Sequence, residues 1–471
     1  MTPARTILSN HKPSLIDLHA IIALVHFFVL TCFPLLIDSP GLAQSAQPNI
    51  RVIESILLQG NKKTEQEVIT RRLTIQEGDT IDASHLAELL DQNRRILTRT
   101  NFFKEVDLYP QPGTARGNIV VVVEIKERKW PFFQFEGGHN DLNGWFFVPA
   151  SVHFDNLFGH GSEIAWRLYW SDDMNRSSLT FRTYKLFKYK AFLDADILLD
   201  VDQTFVHYLN NQQVSQQVKY GGLELKIGGA NGIWRHLFAG FKSIEYKPEN
   251  FATIANLDSN ITSDQLPESI QDDLPGRRIR TFSAGIYADK RDNPDFPMHG
   301  YWGAITAESG ASKKSGDISF QKVTFDARWF RRVSDRQVVA LHLKGGFASE
   351  ETPFYNRFYL GGANSLRGFA SRRLTPQGWG TKLLLSNAEL RFPLSGESFP
   401  NHKATGIVFF DVGGIWLPEE TLSFEDLSSS FGIGFRVRLP VVGLTRFDLS
   451  FPLRSIDQND FKVHISLGHT F

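Results

Sequence analysis

From Trp130 to the C-terminus, apolar and polar residues alternate along the chain. In the last stretch Phe461, Val463, Ile465, Leu467 and Phe471 fall on one face and Asp460, Lys462, His464, Ser466 and Thr470 on the other, the period of two that a β-strand imposes. The same split recurs in Ile164, Trp166, Leu168 and Trp170 against Glu163, Arg167 and Tyr169. It recurs again in Phe431, Ile433, Phe435 and Val437 against Gly432, Gly434, Arg436 and Arg438. One face suits lipid and the other water. Strands with charges on the inner face cannot pack into a dry sandwich, because each unpaired buried charge costs several kcal/mol. They can line a wet lumen. The pattern predicts a mainly β chain with about sixteen strands of roughly ten residues. Short turns near Gly159, Lys188, Gly229, Ser334 and Val442 alternate with longer loops over 248–276, 350–380 and 415–428. Because lipid tolerates no open sheet edge, the expected closure is a 16-stranded transmembrane antiparallel β-barrel over residues 130–471. A large soluble β protein is the alternative.

Ahead of this region the period changes. Ile50 to Leu58 reads as a strand, followed by a turn at Gly60-Asn61. Thr64 and Glu67 have the T-x-x-E spacing of a capping box, which predicts a short helix to about Leu73. After Asp82, Leu86, Leu89, Leu90, Asn93, Ile96 and Leu97 recur near helical spacing, so a second helix lays an apolar stripe on a small sheet. Val106 to Tyr109 and the run NIVVVVEIKE at 118–127 complete that sheet, the latter apolar enough to be its central strand.

Composition sharpens the picture. The 471 residues carry no net charge, so no basic excess points to nucleic acid. Aromatics reach 13%, with 39 Phe, while the mean hydropathy is mildly polar, as expected when apolar residues are spread over many short strands. The one cysteine, Cys32, lies in an apolar run from Ala20 to Ile37 that follows Arg5 and Lys12 and precedes the small residues Gly41 to Ala43. Residues 1–46 therefore read as a secretory signal and linker, with a retained anchor helix as the alternative. Val29-Leu30-Thr31 lacks the small residue that lipidation of Cys32 would want. No disulfide framework or thiolate metal site is expected.

Enzyme signatures are missing. There is no G-x-S-x-G elbow and no histidine pair at metal spacing, so no catalytic residue, metal or cofactor is assigned. Asp289, Asp292 and Asp295 read as a turn. Asp194, Asp196, Asp200 and Asp202, at period two, read as lumen lining rather than acid-base chemistry.

The segment that stands apart is FYLGGANSLRGF, residues 358–369. Gly361 and Gly362 allow a tight turn beneath Arg367, Gly368 and Phe369. Read alone this is a surface loop with a solvated arginine. It is followed, however, by the strand LLLSNAELRFPL and then by GIVFFDVGGIW, where Asp411 shares a face with Ile407, Phe409 and Gly413.

These segments, with DKRDNPDFPMHGYW at 289–302, resemble the BamA/TamA superfamily of outer-membrane assembly barrels. Residues 49–128, with NFFKEVDLYP ahead of VVVEIKE, resemble one polypeptide-transport-associated (POTRA) domain, a small α+β unit whose free sheet edge can take an extended peptide; a plain spacer is the other reading. The resemblance implies that Arg367 pairs with Asp411 inside the barrel, with Glu389 as a further acceptor. In a wet lumen the pair would contribute about 1 kcal/mol, rising toward about 3 where shielded. It also implies a lateral seam between the first strand, with Gly137 and Gly138, and the last, whose Gly468 and Phe471 belong to a C-terminal recognition signal. The implied function is insertion or folding of outer-membrane β-barrel proteins without nucleotide, in the bacterial outer membrane with the N-terminal domain in the periplasm. Its partners would be unfolded barrel clients, the lipid bilayer and periplasmic chaperones or accessory proteins. A polypeptide-secreting pore of the same superfamily and a passive diffusion pore remain the alternatives. The sequence holds room for one POTRA domain and no plug helix.

Overall fold

The computed structural model describes residues 49–467, apart from 99, 101, 130, 141–143, 189, 210–211, 230–235, 254–265, 294–295, 313–317, 395–398, 400–403, 440–442 and 455–460. The signal segment expected over residues 1–46, together with Gly468 and Phe471, lies outside the described residues.

The first sheet has four strands in the order β2-β1-β4-β3: β1 Ile50–Gln59, β2 Thr80–Asp82, β3 Phe103–Pro112 and β4 Asn118–Glu127. Helices α1 Gln66–Thr70 and α2 Ala83–Thr98 pack on it. β4 is interior to the sheet because Ile119, Val121, Val123 and Ile125 all find apolar partners. They meet Val68 and Ile69 of α1, Leu90 and Leu97 of α2, and Ile53 of β1. Asp82 starts α2 by accepting from the Ser84 amide at 2.9 Å. The capping box expected at Thr64 does not form. Glu65 occupies the N-cap of α1 and its side chain does not cap the helix, while the Thr64 hydroxyl is turned away to Glu127 Oε1 at 2.7 Å. β2 was not foreseen; three residues are too few to show a period.

Sixteen further strands form one antiparallel sheet in chain order. They are β5 Phe132–Asn140, β6 Gly144–Leu157, β7 Ser162–Ser171, β8 Met174–Leu186, β9 Ala191–Leu209, β10 Gln212–Gly229, β11 Leu237–Thr253 and β12 Arg277–Asp289. The second half comprises β13 Gly300–Ser312, β14 Ile318–Ser334, β15 Gln337–Ala348, β16 Lys382–Pro393, β17 Ala404–Trp416, β18 Ser428–Leu439, β19 Gly443–Pro452 and β20 Lys462–Leu467. β20 comes back alongside β5 and closes the wall. Gly137 and Gly138 pair in register with Phe147 and Phe146 of β6.

The alternation sorts as lipid and lumen demand. Val463 is 60% exposed and Ile433 58%, while His464 and Arg436 between them are buried. A transmembrane strand needs about 9–11 residues; β9 and β10 run 19 and 18, so this hairpin extends well past the hydrocarbon. The four aspartates of β9 do not share one face. Ser177 pairs with Asp200 and Ser178 with Leu198, a bulge at Leu199. Asp194 and Asp196 stay inside, bonded to Arg182 at 2.9 Å and Thr180 at 2.5 Å. Beyond the bulge Val201 is buried and Asp200 is exposed.

The two sheets meet at a polar junction. Glu65 N donates to the carbonyl of Gly159 at 3.0 Å, Asn156 Nδ2 donates to Thr64 Oγ1 at 2.7 Å, and Lys185 Nζ reaches Glu65 Oε1 at 2.6 Å. Arg71 donates to the Tyr184 carbonyl at 3.3 Å, and Gln92 to that of Asp292 at 3.1 Å.

Candidate functional site

The long loop between β15 and β16 is fixed at its base and at its tip by different means. At the base, a 3-10 turn at Phe354–Asn356 packs with Phe205, Val214, Ile270 and Trp379. Ile270 belongs to the short helix α3, Glu268–Gln271. Arg357 donates to the carbonyls of Thr352 at 2.6 Å and Gly378 at 2.8 Å. From there the chain turns inward. Gly361 and Gly362 have φ of 113° and 108°, a left-handed region that costs a residue with Cβ one kcal/mol or more. Leu360, Leu366 and Phe369 then bury against Leu383 and Leu385 of β16.

The tip is held by charge. Arg367 Nε donates to Asp411 Oδ2 at 2.7 Å and Nη2 to Oδ1 at 2.6 Å, a bidentate fork. Nη1 donates to Glu389 Oε1 at 2.7 Å, and the guanidinium carbon lies 3.5 Å from the centre of the Phe409 ring. Register explains the convergence. Asn387 of β16 pairs with Asp411 of β17, and Glu389 with Phe409, so four inward side chains surround one guanidinium. Asn387 Nδ2 donates both to Asp411 Oδ1 at 2.8 Å and to the Ser365 carbonyl at 2.7 Å.

Beyond this centre the loop backbone is gripped by the last strands. Gly368 N donates to Ser430 Oγ of β18 at 3.0 Å. The Arg367 carbonyl accepts from Ser450 Oγ of β19 and from His464 Nε2 of β20 at 2.7 Å. Arg446 of β19 donates to the Ala363 carbonyl at 3.0 Å. Arg391 supports Glu389 at 2.9 Å, and Arg436 pairs with Asp448 at 2.6 Å. Arg367, Asp411, Asn387, Arg391 and Arg446 are each 0% exposed.

The structure therefore places Arg367, Gly368, Phe369, Asp411, Glu389, Gly361 and Gly362 in one assembly, with Gly413 on β17 facing Leu360 and Leu366. Gly137 and Gly138 lie on β5, at the other side of the closing edge. The wet-lumen value of about 1 kcal/mol does not apply, because the pair is fully dry. Breaking a buried pair of this kind costs about 3–5 kcal/mol. Sequence reading did not single out Asn387, Arg391, Arg446, Asp448, Ser430 or Ser450. Their only signal was the inward phase of alternation, which every lumen residue shares. Chemically the cluster is an anchor: four guanidiniums against three carboxylates, with no nucleophile and base pair among them.

Fold and site together define a membrane-spanning β-barrel with a loop tethered to its inner wall and a small α+β domain at one mouth. The family model of the Omp85 superfamily domain matches residues 156–471, and that of the surface antigen variable number repeat, the POTRA unit, matches residues 52–128. The chain belongs to the Omp85 superfamily. Its barrel sits in a bacterial outer membrane with the POTRA domain in the periplasm. It is 23% identical over 439 residues to the outer membrane protein assembly factor BamA of Nitratidesulfovibrio vulgaris, covering 89% of this chain and 51% of that protein. It is 24% identical over 476 residues to the protein of the same name from Neisseria meningitidis serogroup B, covering 89% and 56%. The chain thus spans about half the length of the curated relatives it matches. The crystal structure of BamA from Haemophilus ducreyi lacking POTRA domains 1–3 superposes with a TM-score of 0.56 at 17% identity, over 89% of this chain and 84% of that one.

Proposed function

We propose that the protein is an outer-membrane assembly factor that folds or inserts β-barrel clients into the bilayer without a nucleotide or other cofactor. The observation that carries this reading is where the loop's bonds end: one buried loop bonds the strands from β16 to β20, and β20 is the strand that closes on β5. When β20 and β5 part, each exposes N–H and C=O groups that hydrocarbon cannot satisfy. An incoming amphipathic strand satisfies them by edge addition. The energy comes from the client, whose own backbone bonds and apolar face are gained on insertion. The Arg367 loop acts as a positioning element that keeps the receiving strands in register, and the POTRA domain offers β3 as a second edge for extended client segments. Periplasmic chaperones or accessory proteins would deliver such segments.

The test is a lock. Cysteine pairs are placed between Phe132–Asn140 and Lys462–Leu467, the protein is reconstituted in vesicles, and a urea-denatured small barrel is added as client. Oxidation should stop insertion, and reduction should restore it. Insertion at the same rate in the locked form would overturn the proposal.

A further inference from the structure

Among the described residues, one cluster of side chains able to ligate a metal lies outside the loop site. His153 and Asp155 stand on β6 and Glu163 on β7, in the interior beneath the junction with the POTRA domain. The register runs Phe154 to Ile164 and then Leu157 to Ser162, a bulge that sets Asp155 and Asn156 against Glu163. His153 Nδ1 is 3.5 Å from Asp155 Oδ1 and 3.7 Å from Glu163 Oε1, and one ligand atom from each residue lies within 4.8 Å of the others. These separations exceed an ordinary N–H···O bond of about 2.7–3.2 Å. They approach the edge of a tetrahedron of ligands around a metal bonded at about 2.0–2.1 Å, roughly 3.3–3.4 Å.

A second observation points the same way. Asp155 is 5% exposed, yet its Oδ1 accepts no hydrogen bond. A buried carboxylate oxygen so placed is costly unless something cationic fills the space before it. The neighbouring guanidiniums serve Glu163 and its surroundings and leave Asp155 Oδ1 alone. Arg167 donates to Glu163 Oε1 at 2.9 Å and to Thr180 at 3.0 Å, and Arg182, 3.6 Å from Glu163 Oε2, is bonded to Asp194 at 2.9 Å.

We infer that His153, Asp155 and Glu163 form a site for a divalent transition-metal cation of the zinc class, with water as the fourth ligand. The imidazole nitrogen selects such a metal over magnesium or calcium, which take all-oxygen shells. The ion is structural. It ties β6 to β7 next to Asn156, the residue whose amide holds Thr64 of the POTRA domain.

The full chain, folded into detergent micelles and stripped with a chelator, is titrated with ZnCl2 and separately with MgCl2. Zinc should bind at one site per chain, and Asp155→Asn and His153→Ala should each weaken binding at least tenfold, while His85→Ala, at an exposed position on α2, should not. In the unmodified protein zinc should also slow amide exchange across residues 152–165, a readout independent of whether the variants fold. Undiminished zinc binding in both variants, an equal response to MgCl2, or no zinc-dependent protection of 152–165 in the unmodified chain overturns the inference. The last result would mean that His153 serves as an imidazolium held between the two carboxylates.

Discussion

Replacing Arg367 with alanine removes the centre of the loop anchor, and its cost can be worked from the contacts. The bonds lost include three charge-assisted ones, two to Asp411 and one to Glu389, together with the stacking on Phe409. The carboxylates left behind are not stranded. Asp411 keeps Asn387 and the amide of residue 367, and Glu389 keeps Arg391. The buried charges also change from four positive and three negative to three of each. The penalty therefore falls at the lower end of the range for a broken buried pair, about 3 kcal/mol. This penalty is relieved when the loop leaves and water enters, so it acts on docking of the loop rather than on the barrel wall. At about 1.4 kcal/mol per tenfold, the undocked population rises roughly a hundredfold. Amide exchange of residues 358–369 in reconstituted protein reads this directly. The barrel should still fold, shown by heat-modifiable mobility, and client insertion should fall. Arg367→Lys should recover only part of the protection, because one ammonium cannot span both carboxylates. Exchange in 358–369 unchanged by Arg367→Ala would refute the reasoning.

Two further outcomes are expected. Gly368→Ala places a Cβ 2.5 Å from Ser430 Cβ and 3.0 Å from Pro452 N, so it should loosen the same loop with the charges intact, measured as faster exchange in 358–369; a docked loop in that variant would show that β18 and β19 yield. The POTRA junction should weaken in acid. Hydrogen bonding to Lys185 holds Glu65 below its usual value, and burial pushes Glu127 up but the bonds from Thr64 and Lys63 more than offset it. Both folded values are depressed, so their contribution is complete above the unfolded value of about 4.3 and is lost as pH falls through the folded ones. Protection factors in residues 60–72 that stay constant from neutral pH to below that range would count against it.

The wall was legible because lipid and lumen impose opposite demands on successive residues, and Val463, His464, Ile465 and Ser466 obey them one by one. What alternation cannot carry is a change of phase. The bulge at Leu199 exchanges the faces of Asp200 and Val201, and that at Asp155 brings His153 and Glu163 together. Both depend on the partner strand, which a single strand does not encode. Thr64 shows the same limit in reverse: a local capping signal was outcompeted by Glu127 and Asn156, 63 and 92 residues away. At the loop, the composition around Arg367 marked the spot. Only register between β16 and β17 shows why Asn387 and Phe409 belong to it.

The placement of these bonds also bears on why a chain would bury so much charge in a membrane barrel. An apolar plug of the same volume would be as stable or more so, but it would not set register. Each polar contact of the loop tip belongs to a particular strand: Asn387 and Glu389 to β16, Asp411 to β17, Ser430 to β18, Ser450 to β19 and His464 to β20. A slip of one residue in any of these strands turns its partner outward to lipid and leaves a buried donor or acceptor unmet. The loop thus holds five consecutive strands to one registration, up to β20 at the closing edge. If strand exchange occurs in this wall, the loop's bonds oppose it at every boundary from β16 to β20, and the boundary between β20 and β5 is the adjoining one where separating two strands breaks none of them.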